Sequence, residues 1–433
     1  MQRILSIQLS EHVGRTVRVA GWIHRRRLLK SVAFVILRDA AGLTQVVVAD
    51  SRTRALVETL PEGTTVAVVG TVAGRPSAPG GVEIISPVIE ALTDPAEPAP
   101  FDLYRPELRT SLPTMLDHAP VALRHPTLAA THRIGAAAVG GFRRTLEEMS
   151  FVEIHTPKIV GAATESGATV FALDYFGRPA FLAQSPQLYK QIMVGVFERV
   201  YEVGPVFRAE PSDTARHLAS YTSLDAELGF IDDHRDVIAV CHATVAGMLA
   251  GIRTSAGRSL DLLGVTMPAL PETPLVVHFA DVLEMISNAT GVDVTGEPDL
   301  APAHERWIGD WALREHGSDF VFVEGYPVAH RAFYTHPDPA RPGYSRGMDL
   351  IFRGVELVSG GQRLHRYADY VRALAGRETD RSAYAGYLEA MRHGMPPHGG
   401  FALGLERFLA RLLDVPNVRQ VTLFPRDLHR LTP

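Results

Sequence analysis

Residues 16–23, TVRVAGWI, alternate apolar and polar side chains with period two, the pattern of a strand half buried against a core. AFVILRD, TQVVVAD, TTVAVVGTVAG and GVEIISPVIEAL follow, set apart by Gly, Pro and Asp. Five short strands in about 90 residues predict a small barrel, and the OB-fold is the five-stranded form. This assigns residues 1–92 to an OB-fold domain. The stretch TDPAEPAPFD (93–102) holds three prolines and opens a stiff linker and hinge, 93–125. Beyond it, helical periodicity at 127–149 and 236–252 alternates with strand-like RVYEVGPVFRAE and GMDLIFRGVELV. Helices interspersed among strands that face strands predict an α+β domain over 126–433, built on an antiparallel sheet flanked by helices.

A length of 433 residues accommodates two or three domains. Charged residues make up 21%, a globular proportion. The single cysteine, Cys241, excludes a disulfide framework and a multi-cysteine zinc site and fits a reducing compartment. MQRILSIQLSEHVG carries no signal-peptide pattern, and no uninterrupted apolar run reaches about 18 residues, so neither secretion nor a membrane span is expected. The net charge of −5 does not advertise nucleic-acid binding, but HRRRLLK (24–30) concentrates basic charge locally.

Four segments carry candidate chemistry. QSPQLYKQ (184–191) follows the apolar run Ala180, Phe181, Leu182 and gathers a lysine, three glutamines, a serine and a tyrosine around Pro186. A polar surface turn accounts for it. So does the floor of a pocket that reads a small polar ligand, with Lys190 as counter-charge to a carboxylate. Segment 199–227 predicts a strand with Arg208 and Glu210 on one face, a polar loop, Arg216 and His217, and a returning strand ending in Asp225 and Glu227. Such cations suit a triphosphate, because a guanidinium grips phosphate through two parallel hydrogen bonds; a hairpin with weak surface ion pairs fits the same residues. In 346–367, Asp349 and Glu356 are seven apart, so on one continuous strand they face opposite ways, and a bend or bulge is needed before both reach one metal. With the Ser359 hydroxyl they make a hard oxygen site suited to magnesium held with phosphates. Gly360 and Gly361 permit close approach of a ligand, and Arg363 reaches a second anion. A glycine turn with solvated charges is the alternative. In 395–413, Leu405, Phe408, Leu409 and Leu412 form one apolar helix face. Arg407 lies at the start of that helix, where the dipole disfavours a cation, so it needs another partner, for which a nucleotide base or phosphate qualifies.

The order FVEIHTPKI (151–159), FRAE with RHL, and GLER is similar to motifs 1, 2 and 3 of the class II aminoacyl-tRNA synthetases. ATESGA (163–168), QSPQLYK and GVELVSGGQR resemble the aspartyl-tRNA synthetases in their compact archaeal-type form, and the resemblance covers essentially the whole chain. It implies ATP-dependent attachment of L-aspartate to tRNA through aspartyl-adenylate, with magnesium, in a cytoplasmic homodimer whose interface involves motif 1 and Pro157. On this resemblance Glu165, Gln187, Lys190, Arg208, Ser359 and Arg363 hold aspartate, Glu165 from a closing loop. Arg208 takes the α-phosphate and Arg407 the phosphate tail, the two catalytic arginines. Glu210, Arg216, His217, Leu218, Glu356, Gly404, Leu405 and Glu406 complete the ATP contacts, and Asp349, Glu356 and Ser359 the metal site. The barrel resembles an anticodon reader: Phe34 stacks a base and Arg27, Gln45 and Glu83 read base edges. A barrel phenylalanine is more often core, and its place beside HRRR is what raises it.

His24 and Pro79 look like the non-discriminating subgroup, which charges tRNA-Asp and tRNA-Asn alike and relies on a separate amidotransferase to finish asparaginyl-tRNA. The alternative makes Pro79 a turn former and His24 a surface residue, in a strictly tRNA-Asp enzyme. The sequence departs from the family at Arg331-Ala332, where Lys-Pro is usual, at His125, where Arg or Asn is common, and at Ile351, where an acid often sits. The last leaves the number of magnesium ions open. Three rivals stand beside this reading. An asparaginyl-tRNA synthetase is opposed by Lys190, a ligase making free asparagine by the barrel, and a non-catalytic RNA-binding relative by Arg208, Glu356 and Arg407.

Overall fold

The computed structural model describes residues 1–433 apart from 162–168, 210, 212–213 and 377–380, and apart from the side chains at 381 and 383. The chain divides into two compact units, Met1–His125 and Pro126–Pro433.

In the first unit, β1 (Thr16–Leu28), β2 (Ala33–Arg38), β3 (Leu43–Val48), β4 (Thr65–Gly74) and β5 (Val82–Ala91) close a barrel in the order β1-β2-β3-β5-β4. The period-two pattern is the cause: Val17, Val19, Ile23, Val35, Leu37, Val46, Val48, Val66, Val68 and Ile84 point inward and form one buried cluster. β1 runs on through His24 to Leu28, so most of the basic cluster lies on a strand. Residues 93–125 group with the barrel, and the Ala96 amide donates to Thr64 Oγ1 at 3.0 Å.

The second unit is built on an eight-stranded sheet. Its strands are β6 (Val152–Glu153), β10 (Arg199–Phe207), β11 (Ser220–Gly229), β12 (Val276–His278), β13 (Phe320–Glu324), β14 (Gly347–Phe352), β15 (Val355–Gln362) and β16 (His398–Gly404), in the order β12-β13-β14-β15-β16-β11-β10-β6. β7 (Ile159–Val160), β8 (Ala172–Tyr175) and β9 (Arg178–Leu182) form a separate small sheet. The eight-stranded sheet is mixed rather than wholly antiparallel: β6 on β10 and β12 on β13 are parallel pairs. These edge strands are two and three residues long, too short to show a period in the sequence.

One face of the sheet packs against helices Pro126–Glu148 and His234–Ser255 through Ile134, Phe142, Val245 and Met248, which meet Leu224, Met348, Leu350 and Phe401. His234–Ser255 is the one helix among the described residues long and apolar enough to cross a membrane, and its apolar positions are buried in this core. The opposite face carries the polar residues.

Candidate active site

The strand register sets the site. Directly opposed residues share a face, and Asp349 pairs with Ser359, Ser359 with Ala402, and Ala402 with Asp225. The next row on that face is Gly347, Gly361, Gly400 and Glu227. Asp349 on one side and Asp225 and Glu227 on the other thus flank a floor of small residues, Ser359, Ala402 and glycines. Gly400 has to be glycine, because a Cβ there would stand 2.1 Å from Glu227 Oε2 and 2.2 Å from the Ala226 carbonyl oxygen.

Asp349 and Glu356 do not lie on one continuous strand. Arg353 and Gly354, with φ of 46° and 72°, turn the chain between β14 and β15. The ladder then shifts between Leu350 and Ile351: Leu350 pairs with Val358 and Ile351 with Glu356, so Leu357 is the extra residue of a bulge. The bulge cancels the odd spacing and brings Glu356 to the same face as Asp349 and Ser359.

A cleft of about 230 Å³ opens over this floor, lined among others by Arg208, Arg216, His217, Glu356, Ser359 and Arg407. Leu218, Gly404 and Glu406 line it as well. Arg208 sits just past the end of β10 rather than on it, with its guanidinium 5.6 Å from the Tyr221 ring centroid. His217 Nδ1 lies 2.6 Å from Thr214 Oγ1. Glu406 is buried and accepts the Thr222 amide at 3.1 Å through both oxygens; burial raises its pKa. Leu405 opens the helix Leu405–Leu412, whose Phe408, Leu409 and Leu412 are buried as its period requires. Arg407 at its start has a protein partner: it donates to the Glu356 carbonyl at 2.9 Å and stands 3.7 Å from the Glu356 carboxylate. The Glu356 side chain keeps 42% of its surface open to the cleft. Loss of solvation in this narrow space, and then the charge of Asp349, push its pKa up to about 7.

QSPQLYKQ is not a surface turn. Helix Gln187–Phe197 starts inside it, and Gln184, Ser185, Gln187, Lys190 and Gln191 are buried. Lys190 donates to Asp225 Oδ1 at 2.9 Å and to the Phe401 carbonyl at 3.1 Å, with Glu227 Oε2 at 3.4 Å. Arg363 donates to Glu227 Oε1 and to the Gly400 carbonyl, both at 3.0 Å. Two buried bases therefore share two buried acids. Among the described residues neither Gln187 Nε2 nor Glu227 Oε2, both buried, has a hydrogen-bond partner. Ser223, which lines the cleft, donates to Asp225 Oδ2 and links the two parts. Reasoning from sequence had left Asp225, Glu227, Ser223 and Tyr221 without roles. Their signal was available: polar residues at period two, 221 to 227, alternate with the core residues Leu224 and Ala226. Glu165 and Glu210 lie outside the described residues.

On the barrel, Arg27 pairs with Phe34 and Phe34 with Val47, while Ile36 pairs with Gln45 and Gln45 with Glu83. Arg27, Phe34, Gln45 and Glu83 thus share the outward face, and Gln45 Nε2 donates to Glu83 Oε2 at 2.8 Å. His24 is the extra residue where β1 bulges between Ile23 and Arg25. Its ring meets Tyr104 edge-on at 5.4 Å, and its buried Nδ1 has no hydrogen-bond partner among the described residues. Burial, then the charges of Arg38, His125 and Arg25, lower its pKa to about 4, so the ring is neutral at pH 7. Pro79 opens a 3-10 turn, Pro79–Gly81, just before β5.

Residues 111–428 match the family model of the class II tRNA synthetases (D, K and N), and residues 17–92 that of the OB-fold nucleic acid binding domain. The chain is 45% identical over 432 residues to the aspartate–tRNA(Asp/Asn) ligase of Thermus thermophilus, covering 100% of both. It is 43% identical over 438 residues to the ligase of the same name from Deinococcus radiodurans, covering 100% of this chain and 99% of that one. Among solved structures, the asparaginyl-tRNA synthetase of Pyrococcus horikoshii complexed with asparaginyl-adenylate matches with a TM-score of 0.93 and 28% identity over 100% of each chain.

Proposed function

The chain belongs to the class II tRNA synthetases of the D, K and N group, and from that premise we propose that it activates L-aspartate with ATP and passes it from aspartyl-adenylate to tRNA-Asp and also to tRNA-Asn. It is an aminoacyl-tRNA ligase. The observation that carries the choice of aspartate is the buried quartet Lys190, Arg363, Asp225 and Glu227 beside the unpartnered Gln187 amide nitrogen. The bases offer donors to a side-chain carboxylate, and the acids are at hand for the α-ammonium. A neutral amide accepts charge-assisted hydrogen bonds from Lys190 and Arg363 more weakly than a carboxylate does, and a site built for polar contacts rejects the wrong partner by roughly a thousandfold or more.

Arg208 serves the α-phosphate and Arg407 the phosphate tail, with Arg216, His217 and Glu406 around the nucleotide. No side chain has to remove a proton in the first step, since the attacking carboxylate is already ionised. Positioning and charge stabilisation then supply the rate. Magnesium fits Asp349, Glu356 and Ser359: these are hard oxygen donors on one face, and the crowding that raises the Glu356 pKa is what a cation relieves. Among the described residues no group of three His, Cys, Asp or Glu side chains forms a closed metal cage, and Ile351 lies in apolar packing. A cation shared with the triphosphate, offsetting phosphate charge, suits that arrangement.

Residues 1–92 serve as the anticodon reader, with Phe34 stacking a base while Arg27, Gln45 and Glu83 read edges; His24 and Pro79 leave the Asp/Asn distinction unread. The relatives that bear a name for both tRNAs support this. Charging tRNA-Asn with aspartate then requires an amidotransferase to complete asparaginyl-tRNA. The exposed Val152, Pro157 and Ile159 of motif 1 support a homodimer, and the reading carries with it a cytoplasmic location. The test is ATP–pyrophosphate exchange by the purified protein. Aspartate is expected to drive it and asparagine to fail. Exchange driven better by asparagine would overturn the assignment.

A further inference from the structure

Arg331 stands where the cation's own charge would be needed. Its Nη2 donates to Asp349 Oδ2 at 2.6 Å, and its Nη1 reaches Asp349 Oδ1 and Ser359 Oγ, both at 3.3 Å. Two of the three oxygen-bearing residues assigned to magnesium are therefore engaged by one guanidinium. Its carbon lies 3.8 Å from the centroid of the Tyr326 ring, and its side chain is only 18% exposed. Tyr326 is itself buried. Glu356 is placed differently: Arg407 bonds its backbone carbonyl, and the carboxylate stands 3.7 Å away.

We infer that Arg331 competes with the divalent cation for Asp349 and so sets how tightly the cation is held. The inference rests on the reading of Asp349, Glu356 and Ser359 as the cation's residues. Physically, Asp349 is almost fully buried, and a carboxylate there needs a counter-charge when no metal is bound. Arginine supplies it in a form that cannot be deprotonated and whose fork matches both oxygens. A cation that takes an Asp349 oxygen must share it with, or displace, an N–H donor and then stand against a like charge packed on Tyr326. Glu356 meets a guanidinium only at the longer 3.7 Å contact with Arg407 and keeps 42% of its side chain exposed, so the cation engages Glu356 first and Asp349 only as Arg331 yields. A lysine at this position would oppose the metal less, because a point charge cannot bridge two oxygens.

The test is Mn²⁺ binding to the full-length protein, read by electron paramagnetic resonance of the free ion, with and without a non-hydrolysable ATP analogue. Glu356→Gln is expected to weaken binding by about tenfold or more. Arg331→Met should tighten it by about tenfold, and Arg331→Lys by about threefold. Thermal melting checks that each variant is folded, and the lysine variant carries the test if the methionine one is not. If binding depends on Glu356 but the Arg331 variant bind Mn²⁺ no better than the parent, or worse, Arg331 is a prop rather than a competitor and the inference falls. If neither Glu356→Gln nor Asp349→Asn alters Mn²⁺ binding, the metal reading beneath it falls too.

Discussion

Lys190 shows how much one side chain carries here. Its ammonium is 1% exposed and held between Asp225, Glu227 and the Phe401 carbonyl. Removing it would leave the buried Asp225 carboxylate without its cation, and breaking a buried pair from one side costs about 3–5 kcal/mol. Lys190→Met should therefore lower the melting temperature and abolish aspartate-dependent pyrophosphate exchange. The residues proposed to hold the nucleotide are on other elements, Arg208 after β10 and Arg407 on the helix Leu405–Leu412, so ATP binding should survive and report a folded site. Exchange at the parent rate in this variant would remove Lys190 from the amino-acid pocket.

At the scale of elements, the site depends on how closely β11, β15 and β16 approach. Gly400→Ala would press a methyl into Glu227 Oε2 and the Ala226 carbonyl, and overpacking of this kind costs about 1–3 kcal/mol. Because Glu227 holds Arg363 and faces Lys190, the loss should reach function as a raised aspartate KM. Gly74→Ala is the control, since nothing lies within 4 Å of a Cβ there; it should change stability by less than about 0.5 kcal/mol. Equal effects from the two substitutions would refute the glycine floor. The barrel strands were legible in the sequence because each has an inside and an outside. The bend joining β14 to β15 was not, because its first turn residue is Arg353 with positive φ, without the Asn-Gly or Asp-Gly signature of such turns. The bulge at Leu357 left no mark either, and could only be inferred as a requirement from the spacing of Asp349 and Glu356. The partners of Lys190 were hidden for another reason: Asp225 and Phe401 lie 35 and 211 positions away, and only the sheet brings them together.

At the scale of the whole molecule, two units divide the work, one presenting an aromatic and polar barrel face and the other a charged cleft over a glycine floor. The central claim is that this pairing attaches aspartate to two tRNAs whose anticodons differ at one base. His24 is neutral and packed on Tyr104, and Pro79 lacks a backbone donor; on the proposed reading these two positions leave that base without a specific contact. Pro79→Lys supplies a donor, and should shift preference toward tRNA-Asp. The most direct measurement is charging of purified tRNA-Asp and tRNA-Asn with labelled aspartate, and in parallel with labelled asparagine. Both tRNAs should accept aspartate from the wild-type enzyme and neither should accept asparagine; a tRNA-Asn left uncharged with aspartate, or either tRNA loaded with asparagine, would contradict the account.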